Sequence, residues 1–262
     1  MVRDFEHKGY WALILGGSSG LGLASAKKLA EEGMNIIIIH RTARMQMPLI
    51  KTHFDEIESK GVHILTFNAD ALNPEKRLEI ISEIKSKIGN GRIRCLLHSI
   101  AKGNLKLMTG EHALQEIDFN ITMNAMAFSL YSWVKAIYTE NIFAEDARII
   151  SFTSEGSSKA WPHYAAVSAA KAALEAISRN IALEFADFGI RSNCIQAGVT
   201  DTDSFRMIPD SDRIVVHSLQ RNPYKRLTKP SDVADVVYLL CKDEAAWING
   251  TIIPVNGGEH LQ

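Results

Sequence analysis

The chain has 262 residues, with 29 Lys and Arg against 30 Asp and Glu and a formal net charge of −1. That length suits one large α/β domain spanning 1–262, and the balanced charge, with no block of one sign, gives no reason to expect a nucleic-acid partner. No apolar stretch is long enough for membrane insertion, the opening "MVRDFEHKGYWALILGG" lacks a signal-peptide core, and Cys95, Cys194 and Cys241 are few and scattered, so a cytoplasmic protein with buried free thiols is expected.

Apolar runs of strand length recur along the chain. "YWALILG" (10–16), "MNIIIIH" (34–40), "VHILTFN" (62–68), "IRCLLHSI" (93–100), "ARIISFT" (147–153), "IRSNCIQ" (190–196) and "GTIIPVN" (250–256) read as seven strands. They are apolar nearly throughout rather than alternating, as strands covered on both faces should be. Helical patterns fall between them at 20–32, 43–60, 74–88, 111–140, 162–187 and 231–243. Crossovers of that length predict an α/β fold with a Rossmann-like, doubly wound, seven-stranded parallel sheet and helices on both faces. The one long, weakly patterned stretch, 200–229, is expected to be a mobile substrate lid.

The first strand runs into "GGSSGLG", which opens the first helix. Gly16, Gly20 and Gly22 permit a tight turn and close backbone approach, with Ser18, Ser19 and Leu21 between them. A pyrophosphate would face the helix N-terminus there. The second strand ends in "IIIIHRTAR": His40 stands where an acid would accept the adenosine ribose hydroxyls, followed by Arg41, Thr42 and Arg44. A guanidinium beside a hydroxyl suits a 2′-phosphate, so NADP(H) is expected in preference to NAD(H). Asp70, followed by Ala71, ends the third strand at the same edge. It is placed to meet the adenine amine or to cap a turn. No His, Cys and carboxylate cluster has metal-ligand spacing, and no metal is expected.

With the glycine turn, "NCIQAGVTDT" and the ending "INGTIIPVNGG", the sequence resembles the short-chain dehydrogenase/reductase family over essentially its whole length. In that family's standard branch a catalytic tyrosine precedes the lysine of "KAAL" by four residues. Here "KAAL" begins at Lys171, but the residue four before it is Val167 and the tyrosine is Tyr164, seven before. That longer spacing resembles the divergent enoyl-acyl-carrier-protein reductases. So do "LLHSIA" (96–101), with Ser99, Ile100 and Ala101, and the alanine of "QAGVTDT". Ser154 stands where many enoyl reductases have a second tyrosine; the NADPH-preferring third type has serine there. Spacings of four and seven share one helix face, and the longer one moves the phenol roughly 5 Å along it.

The resemblance implies roles. Lys171 would hold the nicotinamide ribose, Tyr164 the substrate oxygen, Ser154 would orient that oxygen, and Asn124 would support the lysine through water. Val199, Thr200 and Thr202 would meet the nicotinamide amide, while His98 and His163 are given structural roles. The resemblance further implies a thioester of acyl-carrier protein or CoA as substrate. It also implies a homotetramer, packed through the helices at 111–140 and 162–187. The enoyl reading leads; a carbonyl or hydroxysteroid dehydrogenase of the same fold, and a non-catalytic nicotinamide sensor, stay as alternatives.

Overall fold

The computed structural model describes residues 3–262. Seven strands form one parallel sheet in the order β3-β2-β1-β4-β5-β6-β7: β1 (Tyr10–Leu15), β2 (Asn35–His40), β3 (Ile64–Asn68), β4 (Arg92–His98), β5 (Phe143–Thr153), β6 (Ile190–Ala197) and β7 (Ile252–Val255). All seven strands read from the apolar runs are present. The strand order reverses beside β1, between β2 and β4. At such a switch point the connections leave to opposite faces and open a crevice beyond the carboxyl ends of the strands.

Both faces of the sheet are covered. Helices α1 (Gly20–Glu31), α2 (Met47–Glu58) and α9 (Pro230–Cys241) bury Leu29, Phe54 and Val237 against one side. On the other side α3 (Pro74–Ile88), α5 (Ser129–Thr139) and α6 (Ala165–Glu184) bury Ile84, Trp133 and Leu174. Ile36, Ile37, Ile38 and Ile39 of β2 are fully buried with side chains alternating between the two cores, which explains an uninterrupted apolar run. All three cysteines are buried and free. Among the described residues, no helix is long and apolar enough to cross a membrane.

Two expected elements differ. The helix read over 111–140 begins only at α4 (Glu116–Met123), because residues 101–115 are irregular, and a π-helical stretch, Asn124–Phe128, joins it to α5. The segment 200–229 is not featureless. It holds α7 (Asp203–Arg206) and α8 (Ser211–Arg221), and its ends are tied by a parallel bridge between Thr200 and Thr228. Helix α8 turns Ser218 and Arg221 inward, so its buried face is polar and apolar periodicity does not reveal it.

Candidate active site

Two adjoining cavities lie beyond the carboxyl ends of the strands. The first is a groove lined by the glycine turn, by the ends of β2, β3 and β4, and by Lys171 and Thr202. The turn requires its glycines. Gly16 has φ +84°, and a Cβ on it would stand 2.5 Å from the Ser99 carbonyl oxygen; a Cβ on Gly22 would collide with the Gly16 carbonyl. Ser19, the N-cap of α1, is extended and its side chain caps nothing, so the first N–H groups of α1 are open to an anion. Ser18, Ser19, Gly20, Leu21, Arg41, Asp70, Ala71, Ser99, Ile100 and Ala101 line this groove. A dinucleotide fits that cradle.

Several residues take other parts than expected. Gly22 does not line the groove; it lets α1 close onto the turn. Thr42 does not line it either, because its hydroxyl lies 2.7 Å from His40 Nδ1 and its N–H donates to Asn68 Oδ1 at 3.0 Å. His40 is buried edge-on to Phe54, and burial holds its pKa down, so it carries no charge at neutrality. Asp70 takes the turn-capping role, accepting the Leu72 N–H at 2.9 Å. Its other oxygen lies 3.7 Å from Arg41 Nη1, and Arg41 is 62% exposed. Val199 and Thr200 line the second cavity rather than the groove.

The second cavity contains Tyr164, Ser154 and Lys171, and shares Leu21, Ala101, Lys171, Thr202 and Ser204 with the groove. Lys171, on the buried face of α6, donates from Nζ to the Phe152 carbonyl at 2.7 Å. Burial lowers its pKa to about 8. Tyr164 is the N-cap of α6, and His163 before it has φ +64°, a left-handed conformation that costs energy in a non-glycine residue. Burial raises the phenol's pKa, with Ser154 opposing. The Ser154 hydroxyl oxygen accepts the Gly156 N–H at 3.1 Å, leaving its own proton free to donate. Val167 is buried and lines the cavity one turn along from Tyr164, so an apolar side chain fills the position of a four-residue donor.

Asn124 is not brought to this site. Its side chain is exposed and it opens the π-helical stretch, whose inward residues are Ala125, Met126 and Ala127. His98 is buried and structural: Ser129 Oγ donates to the Ala125 carbonyl at 2.8 Å, so His98 Nε2, 2.7 Å from that oxygen, carries the ring proton. Burial first, then the Lys171 charge, lowers its pKa to about 3. Gly156, Trp161 and Glu259 also line the cavity. Gly156 lies two residues after Ser154, Trp161 three before Tyr164, and Glu259 directly after "INGTIIPVNGG", so each stands beside a residue or motif already singled out, although none of them is itself part of one.

A family profile described as enoyl-(acyl carrier protein) reductase matches residues 16–260. A 3-oxoacyl-[acyl-carrier-protein] reductase of Staphylococcus epidermidis is 28% identical over 95% of this chain and 98% of its own. The 1-cyclohexenylcarbonyl-CoA reductase of Streptomyces collinus is 28% identical over 94% of this chain and 85% of its own. The crystal structure of an enoyl-[acyl-carrier-protein] reductase (NADH) from Aquifex aeolicus superposes with a TM-score of 0.83 at 25% identity, covering 97% of each chain. With a profile spanning nearly the whole chain and a solved relative of the same fold, the protein belongs to the short-chain dehydrogenase/reductase family and is an oxidoreductase of that family.

Proposed function

We propose that the chain reduces the 2,3 double bond of an enoyl thioester, carried by acyl-carrier protein or CoA, with NADPH. The observation that carries this reading is the pairing of Tyr164 at the N-terminus of α6 with a buried Val167 at the standard donor position. In ketone reduction the oxygen sits on the carbon that receives hydride. In conjugate reduction the negative charge appears on the thioester oxygen, farther along the substrate, and a donor displaced by about one helical turn suits it.

When bound, NADPH supplies the hydride. The Lys171 ammonium holds the nicotinamide ribose hydroxyls and favours negative charge nearby. Tyr164 hydrogen-bonds the thioester oxygen as the enolate forms, and the free proton of Ser154 orients the phenol or that oxygen. Its raised pKa keeps the phenol protonated, as a donor should be. Arg41 meets the adenosine 2′-phosphate, and His40, being neutral, does not repel it. Segment 200–229 closes over the substrate through Phe205, Ile208 and Ile214, which line its cavity.

A second reading, reduction of a 3-oxoacyl thioester, is favoured by Ser154 beside the phenol and by the activity of the Staphylococcus relative. The test is an assay of a crotonyl thioester against 3-oxoacyl thioesters and simple ketones, followed by NADPH absorbance. Preferential loss of NADPH with the crotonyl compound supports the enoyl reading, and reduction of ketones alone refutes it. A homotetramer in the cytoplasm completes the proposal. Exposed Phe128, Tyr131 and Leu183 on the α5 and α6 side support self-association, because exposed apolar patches of this kind mark interfaces.

A further inference from the structure

The buried face of α6 carries a carboxylate that the proposed reaction leaves unused. Lys171, Glu175 and Ser178 share that face at helical spacing, and all three are buried. Polar groups of the sheet stand across from them. Ser178 Oγ lies 2.8 Å from Ser192 Oγ on β6, and Ser151 Oγ of β5 lies 3.2 Å from Cys194 Sγ. Glu175 Oε1 accepts the Thr153 hydroxyl at 2.5 Å, and Lys171 Nζ donates to the Phe152 carbonyl at 2.7 Å. The carboxylate and the ammonium therefore rise from consecutive turns of one helix and rest on consecutive residues of one strand.

Neither group has a direct ion pair among the described residues, although Lys171 is only 7% exposed and Glu175 9%. A buried carboxylate with one neutral donor is costly, and a plain hydrogen bond with Thr153 would be served by an amide. An opposite charge one turn away offsets the cost for both groups. The separation matters as well. An ammonium clamped by a carboxylate would commit its donors there, whereas Lys171 commits one of its three N–H groups, to Phe152. Glu175 lines neither cavity, so it acts through the lysine rather than on substrate or cofactor.

We infer that Glu175 is a positioning residue: an internal counter-charge, oriented by Thr153, that keeps Lys171 an ammonium on its seat at Phe152. The inference rests on the role given to Lys171 above, but not on which bond is reduced. The other titratable groups around Lys171 do not take this part. Burial raises the pKa of the Cys194 thiol and of the Tyr164 phenol, so both are uncharged near pH 8. Burial, then the Lys171 charge, lowers His98 to about 3, so it is neutral as well. Of the carboxylates lining the two cavities, Glu155 pairs with Arg221 and Lys159, and Asp70 faces Arg41. Asp203, Glu259 and Lys102 complete the charged lining. Burial brings Lys171 down to about 8, opposed by Cys194 and Glu175 alone. With Cys194 uncharged, the opposing charge is that of Glu175.

The test is the titration of Lys171 in the ligand-free chain, followed by NMR of lysine labelled with carbon-13 at Cε. The Lys171 signal is identified by its absence from Lys171→Arg. In wild type it should titrate at about 8. Glu175→Gln keeps the shape and still accepts from Thr153, so only the charge is lost. Lys171 should then titrate lower by about one pH unit or more, and the alkaline limb of kcat/KM should move down with it. A signal that titrates as in wild type overturns the inference. Unfolding supplies a second measurement: Glu175→Gln should lower the melting temperature of wild type more than that of Lys171→Met, in which the pair is already broken. Equal losses overturn the inference too. If the Lys171 signal moves and the kinetic limb does not, the counter-charge stands and the role given to Lys171 in the reaction is refuted.

Discussion

At the cofactor end of the cleft, most of the wall follows directly from the end of a β-strand: the glycine turn after β1, Arg41 after β2, Asp70 and Ala71 after β3, and Ser99 to Ala101 after β4. At the substrate end the walls come from connections and helix faces, among them Leu105, Met126, Trp161, Phe205, Ile214 and Glu259. The first set is fixed by the sheet, whose register leaves little freedom. The second depends on how loops and helices pack over it. Lys171 belongs to both, and through it the variable half is tied to the invariant geometry of the sheet.

Alanine at two glycines separates the halves most sharply. At Gly22 a Cβ meets backbone, the Gly16 carbonyl, which cannot yield without moving α1 from the turn. Gly22→Ala is expected to lower cofactor affinity by about tenfold to a hundredfold, the worth of a charge-assisted hydrogen bond lost at the helix N-terminus, as read by calorimetric titration with NADPH. At Gly156 a Cβ would stand 2.5 Å from Tyr164 Cε1. Gly156→Ala is expected to reduce turnover and leave that affinity unchanged. Equal loss of affinity in both variants would mean the two ends are not independent.

A smaller effect is expected at Arg41. It is largely exposed and lies 3.7 Å from Asp70, so solvent weakens its hold on a 2′-phosphate. A charge-assisted hydrogen bond is worth about 1.5–3 kcal/mol, and exposure favours the lower figure. Arg41→Ala should cut the NADPH-to-NADH efficiency ratio by about tenfold, measured as kcat/KM for each; an unchanged ratio would remove Arg41 from the cofactor site.

The smallest effect is a pH dependence. Burial holds the Lys171 pKa down to about 8 from 10.5, while the phenol of Tyr164, shifted upward by burial, stays protonated in that range. The ammonium is therefore lost as pH rises through about 8, and kcat/KM should fall there. Stability moves the other way. Between about 8 and 10.5 the unfolded chain binds more protons at this lysine than the folded one, so the lysine's contribution to stability rises with pH across that window. Lys171→Arg should lack the alkaline limb, whatever its residual activity.

The same division governs how much could be read from the sequence. Every strand was legible, because burial on both faces leaves an apolar run such as Ile36 to Ile39. Many residues that line the groove, such as Gly16, Arg41, Asp70 and Ser99, could be named from the sequence because they directly follow those strands. Asn124 is exposed and lines neither cavity, and the π-helical stretch that it opens leaves no mark in residue types. The contact between the Thr42 hydroxyl and His40 Nδ1 could not be read from the sequence, because it depends on how the end of β2 packs. Helix α8 was missed because its buried residues, Ser218 and Arg221, are polar.

The central claim is that Tyr164, one turn before the standard position, serves charge on a thioester oxygen. The most direct measurement is the rate of crotonyl-thioester reduction by Tyr164→Phe, made alongside NADPH binding to the same variant. Binding should be retained, because the phenol touches substrate rather than cofactor. The rate should fall by about a hundred- to a thousandfold, the worth of one hydrogen bond to developing charge. Adding Val167→Tyr, which restores only a four-residue spacing to Lys171, should not recover it. A Tyr164→Phe enzyme within about threefold of wild type, or recovery by the added tyrosine, would contradict the claim.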